Sequence, residues 1–245
     1  MTAPPKLDIT LVSGARPALL APTLASFSNR IFRHFDIGTC YANIDLFGGS
    51  KDDRRQCLAI IQDYFPTAKV TVPDQPSFGQ AVKTIWSQVT SPFALHMEDD
   101  WEVLEDITPE RVFPLFDNDI KLVKLVSKEL GWNGVDLYYE RARKTKLFGL
   151  ILWKSRRKMS VFGTSPGFFA ADFVRTAASL MNPAFDPEKQ MRPKVNAPLF
   201  RYVSQFRCRL LPGTVEPDII RDTGRDWRQT RGLKKTVSAG KSSWS

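Results

Sequence analysis

The stretch Phe93-Ala94-Leu95-His96-Met97-Glu98-Asp99-Asp100-Trp101 carries the strongest signal in this 245-residue chain. Its apolar first half predicts a buried strand, and that strand ends in three consecutive carboxylates. Three adjacent acids repel one another, and burial raises the cost of keeping them charged. A hard divalent cation would relieve the repulsion, because such ions take oxygen ligands and often bridge to substrate phosphates. A solvated acidic turn is the alternative, and the tripeptide alone does not decide between the two.

Predicted strands and helices alternate through the first hundred residues. The strands are predicted at 7–12, 41–47, 69–72 and 93–97, and Pro22, Ser50 and Ser77 open the three intervening helices. Such alternation predicts a parallel sheet covered by helices on both faces. Ligands of these sheets collect at the carboxyl ends of the strands, where the three acids also fall. This coincidence favours the metal-site interpretation.

The second half of the chain is less regular. Strands are predicted at 120–126, 147–153 and 159–163, a helix at 170–180, and loops through the proline-rich residues 183–198. The polar, basic end of the chain, residues 236–245, is predicted to be a flexible tail.

Basic residues outnumber acidic ones by 35 to 26, which gives a net charge of +9. That charge suits an anionic partner such as a nucleotide, a phosphorylated lipid, a polyanion or a membrane surface. Residues 141–158 hold eight bases and no acid, which indicates either a solvated face or a docking surface for an anionic acceptor at a membrane.

Cysteine usage and the absence of long apolar segments bear on location. Cys40, Cys57 and Cys208 are widely spaced and only two His are present, so a zinc site is not expected. The pattern fits a reducing compartment. Residues 1–6 lack an apolar signal region, and no stretch approaches 18 apolar residues. The sequence predicts a cytoplasmic protein, with peripheral contact at an anionic membrane surface as an open alternative.

The layout resembles GT-A-fold glycosyltransferases, most closely the family 2 type. The resemblance is carried by residues 9–17 with the helix at 23–27, by the strand end Ile44-Asp45, and by residues 95–101, which stand where the family has its DxD-type motif. A weaker similarity lies at 219–228, where Asp222 occupies the position of a metal-binding His in many members.

This resemblance implies an α/β GT-A fold in one domain over 1–235. A Rossmann-like, nucleotide-binding half with a mostly parallel sheet would cover about 1–105, and an acceptor-binding half about 106–235. The implied activity is a metal-dependent transfer of sugar from a nucleotide-sugar donor to a glycan or lipid-linked glycan acceptor, with inversion, as in polysaccharide biosynthesis.

The resemblance also implies a Mn²⁺ or Mg²⁺ ion that neutralises the leaving diphosphate. Asp100 would ligate the ion, Glu98 would bind it through water or contact the ribose, and Asp99 would support either. Asp222 would be the third ligand, since a carboxylate also binds hard cations.

Nucleotide contacts are implied for residues at the ends of the first two strands. The Ser13-Gly14 turn would let the backbone approach the nucleotide, and Arg16 would face its phosphates or ribose. Asp45 would accept hydrogen bonds from the base or ribose. The alternatives are a solvated side chain for Arg16 and an ordinary strand-end acid for Asp45.

An inverting transferase needs a general base near the acceptor hydroxyl, usually a carboxylate. Glu188 lies in a late loop where related enzymes often keep such an acid, and Asp186 is its rival; a plain surface acid is the alternative. Phe168 or Trp132 could stack on a sugar ring, although aromatic residues more often belong to the core.

Two other function classes stay open. A nucleotidyltransferase acting on a sugar phosphate shares the layout, but it usually carries a glycine-rich loop after the first strand, and residues 13–16 are glycine-poor. A basic nucleic-acid-binding module would suit the charge, but no RNP-like or zinc-finger spacing supports it, so no specific nucleic-acid partner is expected.

Overall fold

A seven-stranded sheet lies at the centre of the computed structural model. The structure describes the backbone of residues 4–147, 150–232, 235–238 and 241–244, and the side chains of 4–142 and 158–232. The strands are β1 (Leu7–Ser13), β2 (Ile37–Ile44), β3 (Lys69–Thr71), β4 (Phe93–Glu98), β5 (Trp101–Val103), β6 (Ile120–Leu125), β7 (Glu140–Leu147), β8 (Leu150–Ser160), β9 (Gly167–Ala170), β10 (Arg207–Leu211), β11 (Ile220–Asp222), β12 (Lys235–Ser238) and β13 (Lys241–Trp244).

The central sheet has the strand order β10-β6-β9-β4-β1-β2-β3. The pairs β1/β2, β1/β4, β2/β3 and β6/β10 are parallel, whereas β9 runs antiparallel to both β4 and β6. The predicted parallel sheet of the first hundred residues is therefore confirmed. Its strands β1, β2 and β4 end at one edge, because parallel strands share a direction.

Helices cover both faces of this sheet. They are α1 (Pro17–Arg30), α2 (Lys51–Tyr64), α3 (Phe78–Ser87), α4 (Pro109–Val112), α5 (Ala171–Leu180), α6 (Pro187–Gln190), α7 (Ala197–Val203) and α8 (Gly224–Thr230). The apolar sides of α1 and α2 belong to one buried cluster, with Phe27 and Ile61 as members. Those of α3, α5 and α7 belong to a second, which includes Trp86 and Phe173. The two clusters form the core on opposite faces of the sheet.

Two of the three helix starts predicted from the sequence are found in the structure. Ser50 and Asp53 form the predicted capping box of α2, and Ser77 Oγ accepts a hydrogen bond from the Gln80 N–H at the start of α3. The predicted opening of α1 at Pro22 is wrong. The helix begins at Pro17, which takes the first-turn position that proline favours, and Pro22 lies inside the helix on its exposed side.

In the described part of the chain, three antiparallel strand pairs lie outside the central sheet: β5 with β11, β7 with β8, and β12 with β13. Strand β8 is continuous where two strands were predicted, because pairing with β7 carries it through polar residues that apolar periodicity does not detect. Within 236–245, the described residues include β13 and most of β12, which pair with each other, and residues 239, 240 and 245 lie outside the described residues. The flexibility of this tail stays a prediction. No helix among the described residues is long and apolar enough to cross a membrane.

Candidate active site

The three acids at the end of β4, Glu98, Asp99 and Asp100, form what we call the acid corner. Asp99 joins this corner to the loop after β1. Because β1 and β4 are neighbours, the β1–α1 loop lies beside the end of β4. The carboxylate of Asp99 accepts hydrogen bonds from Ser13 Oγ at 2.9 Å and Gly14 N at 2.8 Å, and it forms an ion pair with Arg16. Its main-chain carbonyl accepts from Thr23 Oγ1 at 2.9 Å. Asp99 is therefore the hydrogen-bonding centre of this loop.

Arg16 is the first positive charge at the corner. Its guanidinium is buried against the carboxylates of Asp99 and Asp100, the second at 3.2 Å. Burial acts to lower the pKa of Arg16, but the two carboxylates outweigh it and raise that pKa further. The sequence predicted that Ser13, Gly14 and Arg16 contact a nucleotide directly. In the structure all three donate to Asp99, so the nucleotide role stays a prediction.

Asp100 lies between two guanidinium groups. It is 3% exposed, and its Oδ2 is 3.2 Å from Arg16 Nη2 and 3.1 Å from Arg228 Nη1. Burial raises the pKa of Asp100 to about 6, against the opposing effect of these positive charges. The repulsion expected at the triple-acid stretch is thus partly relieved by arginine side chains from two other parts of the chain.

Asp222 reaches the corner through backbone pairing. Strand β5 begins directly after Asp100, and β11 pairs with it so that Asp222 lies opposite Trp101. Arg228 Nη2 is 3.0 Å from Asp222 Oδ2, so one guanidinium joins Asp100 and Asp222. The sequence missed Arg228, because an arginine in a basic C-terminal segment resembles a solvated residue.

The donor atoms at this corner are suited to a divalent cation, although the described residues contain no group of three or more His, Cys, Asp or Glu side chains that could hold one. Asp100 and Asp222 are carboxylates that already share one cation, the Arg228 guanidinium. Mg²⁺ is commonly held by one or two carboxylates together with substrate phosphates and water. The two residues therefore fit an ion that arrives with a phosphorylated ligand. Glu98, the remaining predicted ligand, ends β4 and lines the adjoining cavity.

A cavity of about 1070 Å³ opens at the carboxyl ends of β1, β2 and β4. Its volume is at the upper end of the range for small-molecule sites. All ten residues predicted for the site line this cavity: Ser13, Gly14, Arg16, Asp45, Glu98, Asp99, Asp100, Asp186, Glu188 and Asp222.

Asp45 forms part of the wall next to β2. It is 4% exposed, and its carboxylate accepts from Asn43 Nδ2 at 2.8 Å and from Ser77 N at 3.0 Å. Burial raises the pKa of Asp45, and these hydrogen bonds oppose the shift. The contact predicted between Asp45 and a base or ribose stays a prediction.

Glu188 and Asp186 lie on the acceptor-side wall. Asp186 caps α6, since its Oδ1 accepts from Glu188 N at 3.0 Å and Lys189 N at 3.1 Å. Glu188 Oε1 accepts from Thr164 N at 3.1 Å. Each acid therefore has one oxygen engaged by main-chain N–H groups, and the role of either as a base stays a prediction.

The predicted sugar-stacking role of Phe168 is wrong. Its side chain is fully buried and stacks on Phe35 with ring centroids 5.4 Å apart. Strand β9 lies between β4 and β6, and its neighbouring residues Phe168 and Phe169 belong to the two core clusters. Trp132 donates from Nε1 to the carbonyl of Asp136, and its stacking role stays a prediction.

Comparison with solved structures identifies the fold. The mannosyltransferase PcManGT from Pyrobaculum calidifontis, in complex with GDP-Man and Mn²⁺, superposes with a TM-score of 0.58 and 11% identity over 94% of this chain. GalNAc-T7, solved with UDP, GalNAc and Mn²⁺, gives 0.57 and 11% over 86%. The fold is GT-A. TarS 1-349 from S. aureus also matches, with a TM-score of 0.51 and 13% identity over 84% of this chain.

The GT-A similarity is one of fold, since all three identities are far below the level that transfers an activity. The chain spans 61% of the PcManGT chain, 58% of TarS 1-349 and 43% of GalNAc-T7. No protein-family model matches the sequence, and no curated protein matches it either.

Proposed function

We propose that this protein is a glycosyltransferase, which moves a sugar from a nucleotide-sugar donor to a hydroxyl group of a glycan or lipid-linked glycan, with inversion. The observation that carries the proposal is the acid corner in a large cavity at the strand ends of a GT-A sheet. PcManGT and GalNAc-T7, which share the fold, were solved with sugar nucleotides or their parts and with Mn²⁺.

The donor would lie along the ends of β1, β2 and β4. Asp45, held by Asn43 and Ser77, would accept hydrogen bonds from the base or ribose. Asp100 and Asp222 would hold a Mn²⁺ or Mg²⁺ ion, which supplies positive charge where the leaving diphosphate develops negative charge. Asp99 would keep the β1–α1 loop in place through Ser13 and Gly14, rather than touch the donor itself.

Glu188 would accept the proton of the acceptor hydroxyl as that oxygen attacks the anomeric carbon. Its Oε1 is oriented by the Thr164 N–H, and its Oε2 lies 3.7 Å from Lys189 Nζ and 3.9 Å from Arg192 Nη2. Attack from the face opposite the diphosphate inverts the anomeric centre, and the proton on Glu188 then passes to solvent.

The acceptor's anionic character is proposed from the basic segment. Strands β7 and β8 pair into a hairpin, and the eight bases of 141–158 belong to it. A phosphorylated or lipid-linked glycan at an anionic membrane surface would suit that charge. The prediction is that the protein floats with vesicles containing anionic phospholipid, but not with neutral ones, and that 0.5 M salt releases it.

Thermal stability in the presence of nucleotides tests the donor site. UDP-, GDP-, CMP- and dTDP-sugars are added with and without Mn²⁺, to wild type and to Asp100→Ala. A ligand at a hundred times its Kd stabilises by about 2.7 kcal/mol, which is roughly 5–10 °C in Tm for a chain of this size. We expect a shift that needs both nucleotide and metal and is lost in the variant. No shift with any nucleotide would refute the proposal.

A further inference from the structure

Arg228 connects two carboxylates that come from distant parts of the chain. Its Nη1 lies 3.1 Å from Asp100 Oδ2, and its Nη2 lies 3.0 Å from Asp222 Oδ2. The arginine side chain is 23% exposed and lines the cavity, whereas both acids are largely buried. The guanidinium therefore bridges two acids that line the same cavity.

The charge of the cavity wall determines how this bridge would affect the binding of a ligand. Among the described residues, seven carboxylates and three guanidinium groups line the cavity, so negative groups are in clear excess. A nucleoside diphosphate adds further negative charge to such a wall. Its binding therefore calls for a cation that enters with it, and Asp100 and Asp222 are the carboxylates suited to receive that ion. The ion and Arg228 would compete for the same oxygens.

We infer that Arg228 is a displaceable counter-ion: it holds Asp100 and Asp222 in the free protein, and it moves onto the donor's diphosphate when a divalent cation takes those two carboxylates. The inference rests on the proposed function and adds a residue and an exchange step to it. A guanidinium suits both states, because its planar fork pairs with carboxylates and phosphates alike.

The anchoring of α8 lets the exchange take place without large backbone movement. Trp227 lies against Arg16, whose guanidinium carbon is 5.1 Å from its ring centroid. A Cβ placed on Gly48 would come within 2.7 Å of the Trp227 ring, so the helix packs closely on the loop after β2. With α8 fixed beside the cavity in this way, rotation of the Arg228 side chain suffices to change its partner.

Two titrations on Arg228→Ala test the inference, and they are expected to change in opposite directions. The first measures Mn²⁺ binding to the nucleotide-free protein by electron paramagnetic resonance of the free ion. We expect the variant to bind Mn²⁺ roughly tenfold more tightly than wild type, because a charge-assisted contact no longer competes for the carboxylates. The second measures UDP and GDP binding by calorimetry at saturating Mn²⁺. Here we expect roughly tenfold weaker binding by the variant, because the diphosphate loses a charged partner.

Arg231→Ala is the matched control, since it removes the same group at the end of the same helix, where it stacks on Trp227. We expect it to change neither titration by more than about twofold, which is within the usual effect of an exposed charge. Arg228→Lys keeps the charge without the planar fork, and it should fall between wild type and alanine in both measurements.

Each outcome bears on a separate part of the inference. Unchanged or weaker Mn²⁺ binding by Arg228→Ala overturns the competition, and unchanged nucleotide binding overturns the role at the diphosphate. Equal effects of Arg231→Ala would mean that the helix as a whole is responsible, which also overturns it. If wild type binds neither nucleotide with Mn²⁺, the proposed function fails, whereas the Mn²⁺ titration without nucleotide still decides the competition.

Discussion

Replacing Asp99 by Asn should destabilise the protein strongly, although the two side chains have nearly the same shape. The Asp99 carboxylate is 1% exposed, accepts from Ser13 Oγ and Gly14 N, and forms an ion pair with Arg16. An amide keeps one acceptor oxygen and turns an NH₂ group toward donors. Arg16 would lose its ion pair with Asp99 and keep the one with Asp100 at 3.2 Å, as a buried and incompletely compensated charge.

The magnitude follows from the burial of both partners. Removal of one member of a buried ion pair costs about 3–5 kcal/mol, because the other charge is left without its partner. For a chain of this length each kcal/mol lowers Tm by about 2–4 °C, so Asp99→Asn should lower Tm by roughly 6–20 °C.

Urea unfolding followed by tryptophan fluorescence measures the free energy of unfolding, and calorimetry measures Tm. Asp52→Asn is the control, since Asp52 forms an ion pair with Arg55 and its side chain is 71% exposed. That change should leave Tm almost unaltered, because exposed pairs contribute little. A loss below about 1 kcal/mol for Asp99→Asn, or equal behaviour of the two variants, would refute the assignment of Asp99 as the organiser of the β1–α1 loop.

Three further outcomes are expected. Glu188→Gln should lower kcat by about 10²–10⁴-fold while donor binding stays within twofold. Asp186→Ala should chiefly lower stability, by about 1 kcal/mol, because it removes the oxygen that caps α6. Steady-state kinetics and urea unfolding distinguish the two effects. Gly224→Ala should abolish the Mn²⁺-dependent thermal shift, because the new Cβ would lie 2.0 Å from Asp100 Oδ2. Burial acts to raise the pKa of Asp8, but hydrogen bonds to its carboxylate outweigh it and lower that pKa. The ionised Asp8 carboxylate therefore contributes to the free energy of unfolding above about pH 4, and this contribution is lost as pH falls through the folded-state pKa. The difference in stability between wild type and Asp8→Asn should disappear in acid. Urea unfolding at several pH values measures that difference.

Local patterns were enough to predict the parallel part of the sheet. Strands β1 to β4 and the helices between them have clear apolar periodicity, and the caps at Ser50 and Ser77 mark two helix starts. The acid corner followed from its position at the end of such a strand. Strand β2 shows the limit of such prediction, since it begins at Ile37 and not at the predicted Tyr41. The first three residues of the strand are only half-buried, so their apolar pattern is weak.

Burial and long-range pairing set the limits of prediction in the second half of the chain. Phe168 was a candidate sugar platform, but nothing local indicated that β9 would lie between β4 and β6 and place its ring in the core. Arg228 shows the same difficulty for charge. It lies 128 residues from Asp100, so its partner could not be identified before the pairing of β5 with β11 was known.

That pairing also explains why the acid corner and the C-terminal segment form one unit. Asp100 directly precedes β5, and Asp222 ends β11 opposite Trp101, so the antiparallel register brings the two acids near each other, where Arg228 contacts both carboxylates. Thr223 N then donates to the Asp100 carbonyl at 2.9 Å, and the close approach of Gly224 to the Asp100 side chain leaves no room for a Cβ. The direction in which α8 leaves β11 is thereby constrained, and Arg228, one turn into that helix, is brought to the two acids. A cation that binds Asp100 and Asp222 as proposed would therefore compete with Arg228 for the same carboxylate oxygens.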